Sequence, residues 1–137
     1  MRIEFTLPWP PSVNSTHRTF AGRMLVSLDY RTFKKAVGKQ VLVQRIPRHW
    51  TTERLAIGLL CQPPNRRKYD IDNRIKPTLD ALMAAGVIPD DECIDQLTIA
   101  RGPVVPGGAI RVVIEEWSTL PPDLDYAAGI DEPKAAA

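Results

Sequence analysis

The first residues of the chain alternate between apolar and polar side chains. In RIEFTL, residues 2–7, every second residue is apolar, which is the period of a β-strand with one buried face. Three prolines in the following PWPPSVN fix φ and leave few amide donors, so this segment is predicted to be a stiff, extended loop. After the loop, RTFAGRMLVS has the pattern of a short β-hairpin that turns at Ala21 and Gly22.

Apolar residues three or four positions apart predict two amphipathic helices. The first begins after an N-cap at Ser27 and ends near Arg45, since Pro47 cannot continue it. The second covers residues 74–85 and is closed by Gly86 in the position after the C-cap. The residues expected on the inner faces are Tyr30, Phe33, Val37, Val41 and Gln44 in the first helix and Ile75, Leu79, Leu82 and Met83 in the second.

Three more segments predict strands. The run RLAIGLLC, residues 54–61, is mostly apolar, as in a central strand, whereas IDQLTIA and AIRVVIEE flank a PGG turn and are predicted to pair as a hairpin. We therefore expect a mixed α+β fold with a small mixed sheet of about five strands and two helices, in the order β-hairpin-α-β-α-β-β. Residues 1–117 form this domain, and residues 118–137, rich in Pro, Ala and Asp, form a tail without an apolar period.

Composition limits the class of protein. A chain of 137 residues with 44% hydrophobic content is sufficient for one domain with its own core. No apolar run approaches the roughly 20 residues that span a bilayer, and no signal-peptide pattern precedes the first prolines, so we expect a cytoplasmic protein that does not enter a membrane. Two isolated cysteines and two isolated histidines argue against a zinc site.

Charge is unevenly distributed, although the net charge is only +2. Residues 1–50 contain nine Lys or Arg and two acidic residues, whereas residues 51–137 contain nine and fourteen. A basic surface beside an acidic pocket would suit a metal-dependent enzyme that acts on a polyphosphate. A solvated helix face and an acidic tail explain the same charges without a ligand, and charge alone favours this simpler explanation.

The stretch YDIDN places two carboxylates at the start of the second helix. The helix amides and dipole favour Asp70 and Asp72 at this position for purely structural reasons. Asp72, Lys76 and Asp80 are also four residues apart, so they could form a surface ion-pair ladder. The D-x-D pair alone is therefore weak support for a functional site.

Three features favour a metal site. PDDECID places four acids beyond the helix C-terminus, where the dipole disfavours them, so a compensating cation is expected. Convergent carboxylates suit Mg²⁺ or Mn²⁺, which prefer oxygen ligands. Pro77 is tolerated only near the first turn, which keeps the D-x-D pair at the start of the helix. Basic residues surround the pair, as phosphate clamps beside a catalytic metal would; they are Arg66, Arg67, Lys68, Arg74 and Lys76.

The segment DIDNRIKPTLDALMAAGVIPDDECID, with LPWPPSVN before it and a GG hairpin after it, resembles the RusA family of Holliday junction resolvases over residues 3–116. The resemblance implies a small α/β homodimer, an Mg²⁺-dependent endonuclease that resolves four-way DNA junctions by paired nicks, with Mn²⁺ able to substitute. It implies metal ligands at Asp70, Asp72 and Asp91, with Lys76 important for cleavage and Asp90 supporting them. Contact with DNA is expected from Asn14, Arg18, Arg66, Arg67, Lys68 and Arg74.

One position departs from the family pattern. Some members have a basic residue directly before the first aspartate, where this chain has Tyr69. Tyr69 could stack on a base or sugar of the DNA, but we expect Lys68 or Arg67 to make the phosphate contact in place of the missing basic residue. Asp80 also recurs in the family, but a structural role is expected for it, as an ion pair with Lys76 or a contact on the helix face.

The expected reaction is attack of a metal-activated water on the phosphodiester, with Lys76 stabilising the developing charge. The segment GVIPDD should return along the second helix and bring Asp91 within about 4 to 6 Å of Asp70 and Asp72. Two other classes stay open. A non-cleaving protein that binds branched DNA would not need three carboxylates, and a metal-dependent phosphohydrolase of a small phosphorylated substrate would not need the basic excess of residues 1–50.

Overall fold

The computed structural model describes most of the chain, but not its C-terminal segment. The described residues are 1–15, 17–49, 51 and 53–118, with the backbone alone described for residues 15, 17–20 and 23–26. The predicted tail therefore lies almost entirely outside the described residues, and its boundary at residue 118 stays a prediction.

The described chain is a mixed α+β structure with two α-helices. In chain order its elements are β1 (Arg2–Pro8), β2 (His17–Phe20), β3 (Arg23–Val26), α1 (Leu28–Val43), β4 (Leu55–Gln62), α2 (Ile75–Ala84), β5 (Ile94–Arg101) and β6 (Ala109–Glu116). Short 3₁₀ turns interrupt three of the loops, at Val13–Ser15, Ile71–Arg74 and Asp91–Cys93. Neither described helix is long and apolar enough to cross a membrane.

The main sheet has four strands in the order β1-β6-β4-β5. Strands β4 and β5 are parallel, and the other neighbours are antiparallel. Strands β2 and β3 pair with each other in a separate two-stranded sheet. The expectation of about five strands in one sheet is therefore corrected to four, with the N-terminal hairpin standing apart.

The predicted pairing of β5 with β6 is wrong, because β4 lies between them. The connection, residues 102–108, crosses the end of β4 and is hydrogen bonded to it. The Gly102 amide donates to the Cys61 carbonyl at 2.7 Å, and the Val105 amide donates to the Pro63 carbonyl at 3.0 Å. Seven residues can span the two strand spacings of about 4.8 Å each that separate β5 from β6. The apolar β4 thereby obtains a partner on both edges.

Both helices pack on one face of the sheet and complete the core. Ser27 is the N-cap of α1, as predicted, and its hydroxyl accepts a hydrogen bond from the Tyr30 amide at 3.1 Å. The predicted inner face of α1 is buried except at Gln44, which is exposed and donates its amide to the Thr6 carbonyl at 2.8 Å. The buried residues of α1 are Tyr30, Phe33, Val37 and Val41.

Helix α2 ends in the manner predicted for Gly86. This glycine has a φ of 76°, and the Val87 amide donates to the Leu82 carbonyl at 3.0 Å, which is the pattern of a Schellman cap. Leu79 and Leu82 are fully or nearly fully buried, and Ile75 and Met83 pack at the margin of the core. The cap turns the chain so that the residues after Gly86 leave the helix along its side.

Candidate functional site

The D-x-D pair lies on a 3₁₀ turn that leads into α2. Asp70 occupies the N-cap position of this turn, but its side chain makes no capping hydrogen bond, and Asp72 lies within the turn. Both residues are exposed, and neither carboxylate has a hydrogen-bond or ion-pair partner among the described residues. Helix capping therefore does not explain why two acids stand here.

The ion-pair ladder forms only in part. The Lys76 ammonium pairs with the Asp80 carboxylate at 2.9 Å, which confirms the structural role expected for Asp80. Asp72, one turn before Lys76, is not part of it. The Tyr30 hydroxyl donates a hydrogen bond to the other carboxylate oxygen of Asp80. The pKa of Tyr30 is raised, mainly by burial and to a smaller extent by this hydrogen bond. Asp80 therefore joins α1 to α2 and fixes Lys76.

Lys76 also contacts Asp91, with 3.3 Å between the ammonium nitrogen and the carboxylate oxygen. The hydrogen bond to Asp80, and to a smaller extent the one to Asp91, raises the pKa of Lys76, so its ammonium stays protonated at neutral pH. The segment from Gly86 to Asp91 thus returns toward the beginning of α2, with Val87 and Ile88 buried on the way. Asp91 lies beside the first turn of α2, as the expected return requires.

The other acids after α2 have partners within the protein. The Arg54 guanidinium pairs with Glu92 at 3.0 Å and with Asp95 at 2.6 Å. Asp90 accepts a hydrogen bond from the Glu92 amide at 3.3 Å, and hydrogen bonds with the Asp91 side chain and this amide lower the pKa of Asp90. The compensating cation expected for these acids is therefore in large part Arg54, from a loop before β4.

No three acidic, histidine or cysteine side chains of the described chain are gathered closely enough to hold a metal ion. Asp91 is therefore not gathered with Asp70 and Asp72 into such a group, and the structure does not show the expected spacing of 4 to 6 Å between their carboxylates. Asp70 and Asp72 nevertheless fit a hard cation, since they offer exposed carboxylate oxygens that no cation of the described protein neutralises. Asp91 is already paired with Lys76.

An aromatic and arginine cluster fastens the N-terminal loop to the D-x-D turn. The rings of Trp9 and Tyr69 meet edge to face, with 5.3 Å between their centroids. Arg74 lies 4.8 Å from the Trp9 ring and donates to the Pro10 carbonyl at 2.6 Å. Burial lowers the pKa of Arg74. This guanidinium, predicted to bind DNA, is thus engaged within the protein.

The other predicted DNA-binding residues differ in their location and exposure. Arg66, Arg67 and Lys68 are exposed in the loop before Asp70. Asn14 is exposed on the 3₁₀ turn Val13–Ser15, which contacts both the D-x-D turn and α2. The Arg18 side chain lies outside the described part of the structure. The loop basic residues and Asn14 therefore border the carboxylate site.

Sequence reasoning did not identify Arg54, Trp9 or Arg101 as part of the site. Arg54 pairs with acids about 40 residues away in the sequence. Arg101 lies over the ring of Tyr69, 4.2 Å from its centroid. No local spacing indicates these contacts. The surplus of acids after α2 was the one available signal, since it required a cation from elsewhere.

Comparison with known proteins shows a clear relationship. The sequence model of the family described as Endodeoxyribonuclease RusA matches residues 8–115. The crossover junction endodeoxyribonuclease rusA of Enterobacteria phage HK97 is 35% identical over 117 residues, which cover 85% of this chain and 97% of that protein. The crossover junction endodeoxyribonuclease RusA of Escherichia coli (strain K12) is 32% identical over 111 residues, with 81% and 92% covered.

The periplasmic domain of Helicobacter pylori MotB (residues 90–256) aligns with 93% of this chain and 80% of that chain, at 15% sequence identity and a TM-score of 0.35. This score is too low to support a shared fold.

Proposed function

Because this chain belongs to the RusA family of endodeoxyribonucleases, we propose that it cuts four-way DNA junctions by hydrolysing phosphodiester bonds. The observation that carries this proposal is the exposed D-x-D pair, whose carboxylates have no partner among the described residues although basic residues surround them. Unpaired carboxylates in a basic surface repel a DNA backbone unless a cation lies between them. A protein that only bound DNA would gain nothing from them.

The proposed cofactor is Mg²⁺, with Mn²⁺ able to substitute, and its proposed ligands are Asp70, Asp72 and Asp91. When bound, such an ion polarises the scissile phosphate and lowers the pKa of a coordinated water. Asp91 would exchange its contact with Lys76 at least in part for this ligation. Asp90 supports the 3₁₀ turn Asp91–Cys93, since its carboxylate accepts a hydrogen bond from the Glu92 amide. Arg54 supports the same turn through its ion pair with Glu92.

The remaining residues supply binding and charge. Lys76 is oriented by Asp80 and kept protonated, so it is suited to stabilise negative charge that develops on the phosphate. The exposed basic residues before Asp70, together with Asn14, are suited to orient the DNA backbone across the carboxylates. A junction has two strands to cut, so we also propose a homodimer with twofold symmetry that carries two such sites.

The first experiment compares substrates. We expect the protein to cleave a four-way junction in Mg²⁺ with symmetric nicks, and to leave a linear duplex and a nucleotide largely intact. Junction binding without cleavage at any divalent-cation concentration would indicate a binding protein. Hydrolysis of the nucleotide in preference to DNA would indicate a small-substrate phosphohydrolase.

The second experiment tests the carboxylates. We predict that Asp72→Asn lowers the cleavage rate by more than about 100-fold, because loss of a metal ligand costs more than the 10- to 100-fold seen for residues that only support ligands. Junction binding should be retained or tightened, since one repulsive charge is removed. The control is Glu53→Gln, which removes an exposed acid from the loop before β4. Normal cleavage by Asp72→Asn would contradict the ligand assignment.

A further inference from the structure

Arg101 ends strand β5 and is held beside the residue that precedes Asp70. Its guanidinium carbon lies 4.2 Å from the centroid of the Tyr69 ring. One of its terminal nitrogens donates to the Tyr69 carbonyl at 3.1 Å. Tyr69 in turn packs against Trp9. Two separate contacts therefore orient an arginine side chain that remains exposed.

The charge of Arg101 has no acidic partner among the described residues. Two other exposed arginines of the sheet region do have such partners: Arg54 pairs with Glu92 and Asp95, and Arg111 pairs with Glu4. Arg74 is partly buried and donates to a carbonyl. Arg101 is thus a fixed, exposed guanidinium with N–H groups left to donate.

We propose that Arg101 binds a phosphate of the DNA strand next to Asp70, and that Tyr69 is the residue that positions it. The proposal rests on the proposed function, since it places this phosphate at the D-x-D turn. A planar guanidinium can donate two parallel hydrogen bonds to phosphate oxygens. Because stacking on Tyr69 already restricts the side chain, less conformational entropy is lost when the phosphate binds.

This proposal changes the assignment made from the sequence. Lys68 and Arg67 were expected to supply the phosphate contact because Tyr69 itself carries no charge. Both side chains are exposed, and the described structure shows no ring or carbonyl that orients either of them. In this proposal the phosphate contact is made instead by Arg101 at the end of β5, more than 30 residues away in the sequence.

The test measures junction binding without cleavage. A fluorescently labelled four-way junction is titrated in EDTA at several KCl concentrations, and anisotropy gives Kd. For Arg101→Gln we expect about tenfold weaker binding at 0.1 M salt. The slope of log Kd against log salt should fall by about 0.9 for each bound copy of the residue, because one phosphate contact no longer releases a counterion.

Three further variants separate charge from positioning. Arg2→Gln removes an exposed arginine from the opposite edge strand, where Arg2 pairs with Glu4 at 3.8 Å; its affinity and slope should match the wild type. Tyr69→Leu removes the ring but leaves the Arg101 charge, so affinity should fall while the slope is kept. Tyr69→Phe keeps the ring and should lose less affinity than Tyr69→Leu.

The outcomes are distinct. Wild-type affinity and slope in Arg101→Gln, with a normal wild type, overturn the Arg101 proposal and leave the proposed function standing. An equal decrease in slope for Arg2→Gln also overturns it, because Arg101 would then be only part of the general surface charge. A wild-type protein that binds no junction contradicts the proposed function itself. Should Arg101→Gln unfold at a lower urea concentration, Arg101→Lys repeats the test with the charge retained. It should keep the slope but bind the junction more weakly than the wild type, because an ammonium cannot donate two parallel hydrogen bonds to the phosphate, and wild-type affinity in Arg101→Lys would overturn the proposal.

Discussion

The acidic residues around α2 differ in whether they have a partner within the protein, and this difference separates structural acids from acids that can bind a ligand. Asp80 accepts from both Tyr30 and Lys76, and the acids after Asp91 pair with Arg54. Asp70 and Asp72 have neither kind of partner in the described chain. The same residue type is therefore structural at one position and available for a ligand two turns away.

Lys76 allows a prediction at this scale. Lys76→Ala should lower the junction cleavage rate by about 100-fold, as removal of a single charge-stabilising donor does in other enzymes. The affinity for the junction should change by no more than about threefold, because one phosphate contact among many adds little to binding. Single-turnover cleavage and anisotropy measure the two quantities, with Lys39→Ala on α1 as the control. A loss of affinity equal to the loss of rate would make Lys76 a binding residue only.

At the scale of elements, loops far apart in the sequence hold the site. The PWPP loop reaches the D-x-D turn through Trp9 and Arg74, and the loop after β5 packs on the same tryptophan. Gly108 has a φ of 72°, and a Cβ added there would lie 2.8 Å from the Trp9 Cβ and 2.9 Å from the Pro64 Cδ. This glycine permits both the turn and the close approach of the two loops.

The two glycines of the PGG turn should therefore differ in their tolerance of alanine. Gly107 has a φ of 76° but no atom within 4 Å of an added Cβ, so Gly107→Ala should cost only the backbone strain, about 1 to 2 kcal/mol. Gly108→Ala adds overpacking of about 1 to 3 kcal/mol. Urea unfolding of the two variants measures the difference in free energy. Equal costs would mean that Trp9 moves aside without penalty.

At the scale of the molecule, neither of the two described helices covers the second face of the main sheet. The residues on this face, opposite the core, are partly buried or exposed, and the central ones are Gly58, Leu60 and Val113. A partner subunit with the same face could cover them, and the twofold symmetry of the proposed substrate favours such an arrangement. We therefore predict that the proposed homodimer, if it forms, uses this face.

Sedimentation can test this inference. The wild type should sediment at about twice the chain mass of 15.3 kDa at micromolar concentration, and Val113→Lys should shift it to the monomer because an ammonium would be buried in the interface. Leu42→Lys, at an exposed position near the end of α1, is the control and should remain dimeric. A monomeric wild type would contradict the dimer, and a dimeric Val113→Lys would place the interface elsewhere.

Local patterns in the sequence determined most of the individual elements. The period of apolar residues located β1, both helices and β4, because burial of one face requires that period whatever the element packs against. Ser27 and Gly86 marked helix ends for equally local reasons, a side-chain acceptor and a positive φ. The motifs around Asp70 likewise indicated the family, since its spacing is contained within one stretch of chain.

Only the tertiary structure decided how these elements combine. The adjacent β5 and β6 were predicted to pair, but the apolar β4 lies between them because a strand buried in the centre needs partners on both edges. The partners of charged residues also depend on the tertiary structure: Arg54, Lys76 and Arg101 each contact a residue at least 15 positions away in the sequence. Coulombic and ring contacts depend on distance in space, and the sequence specifies that distance only through the packing of the whole chain.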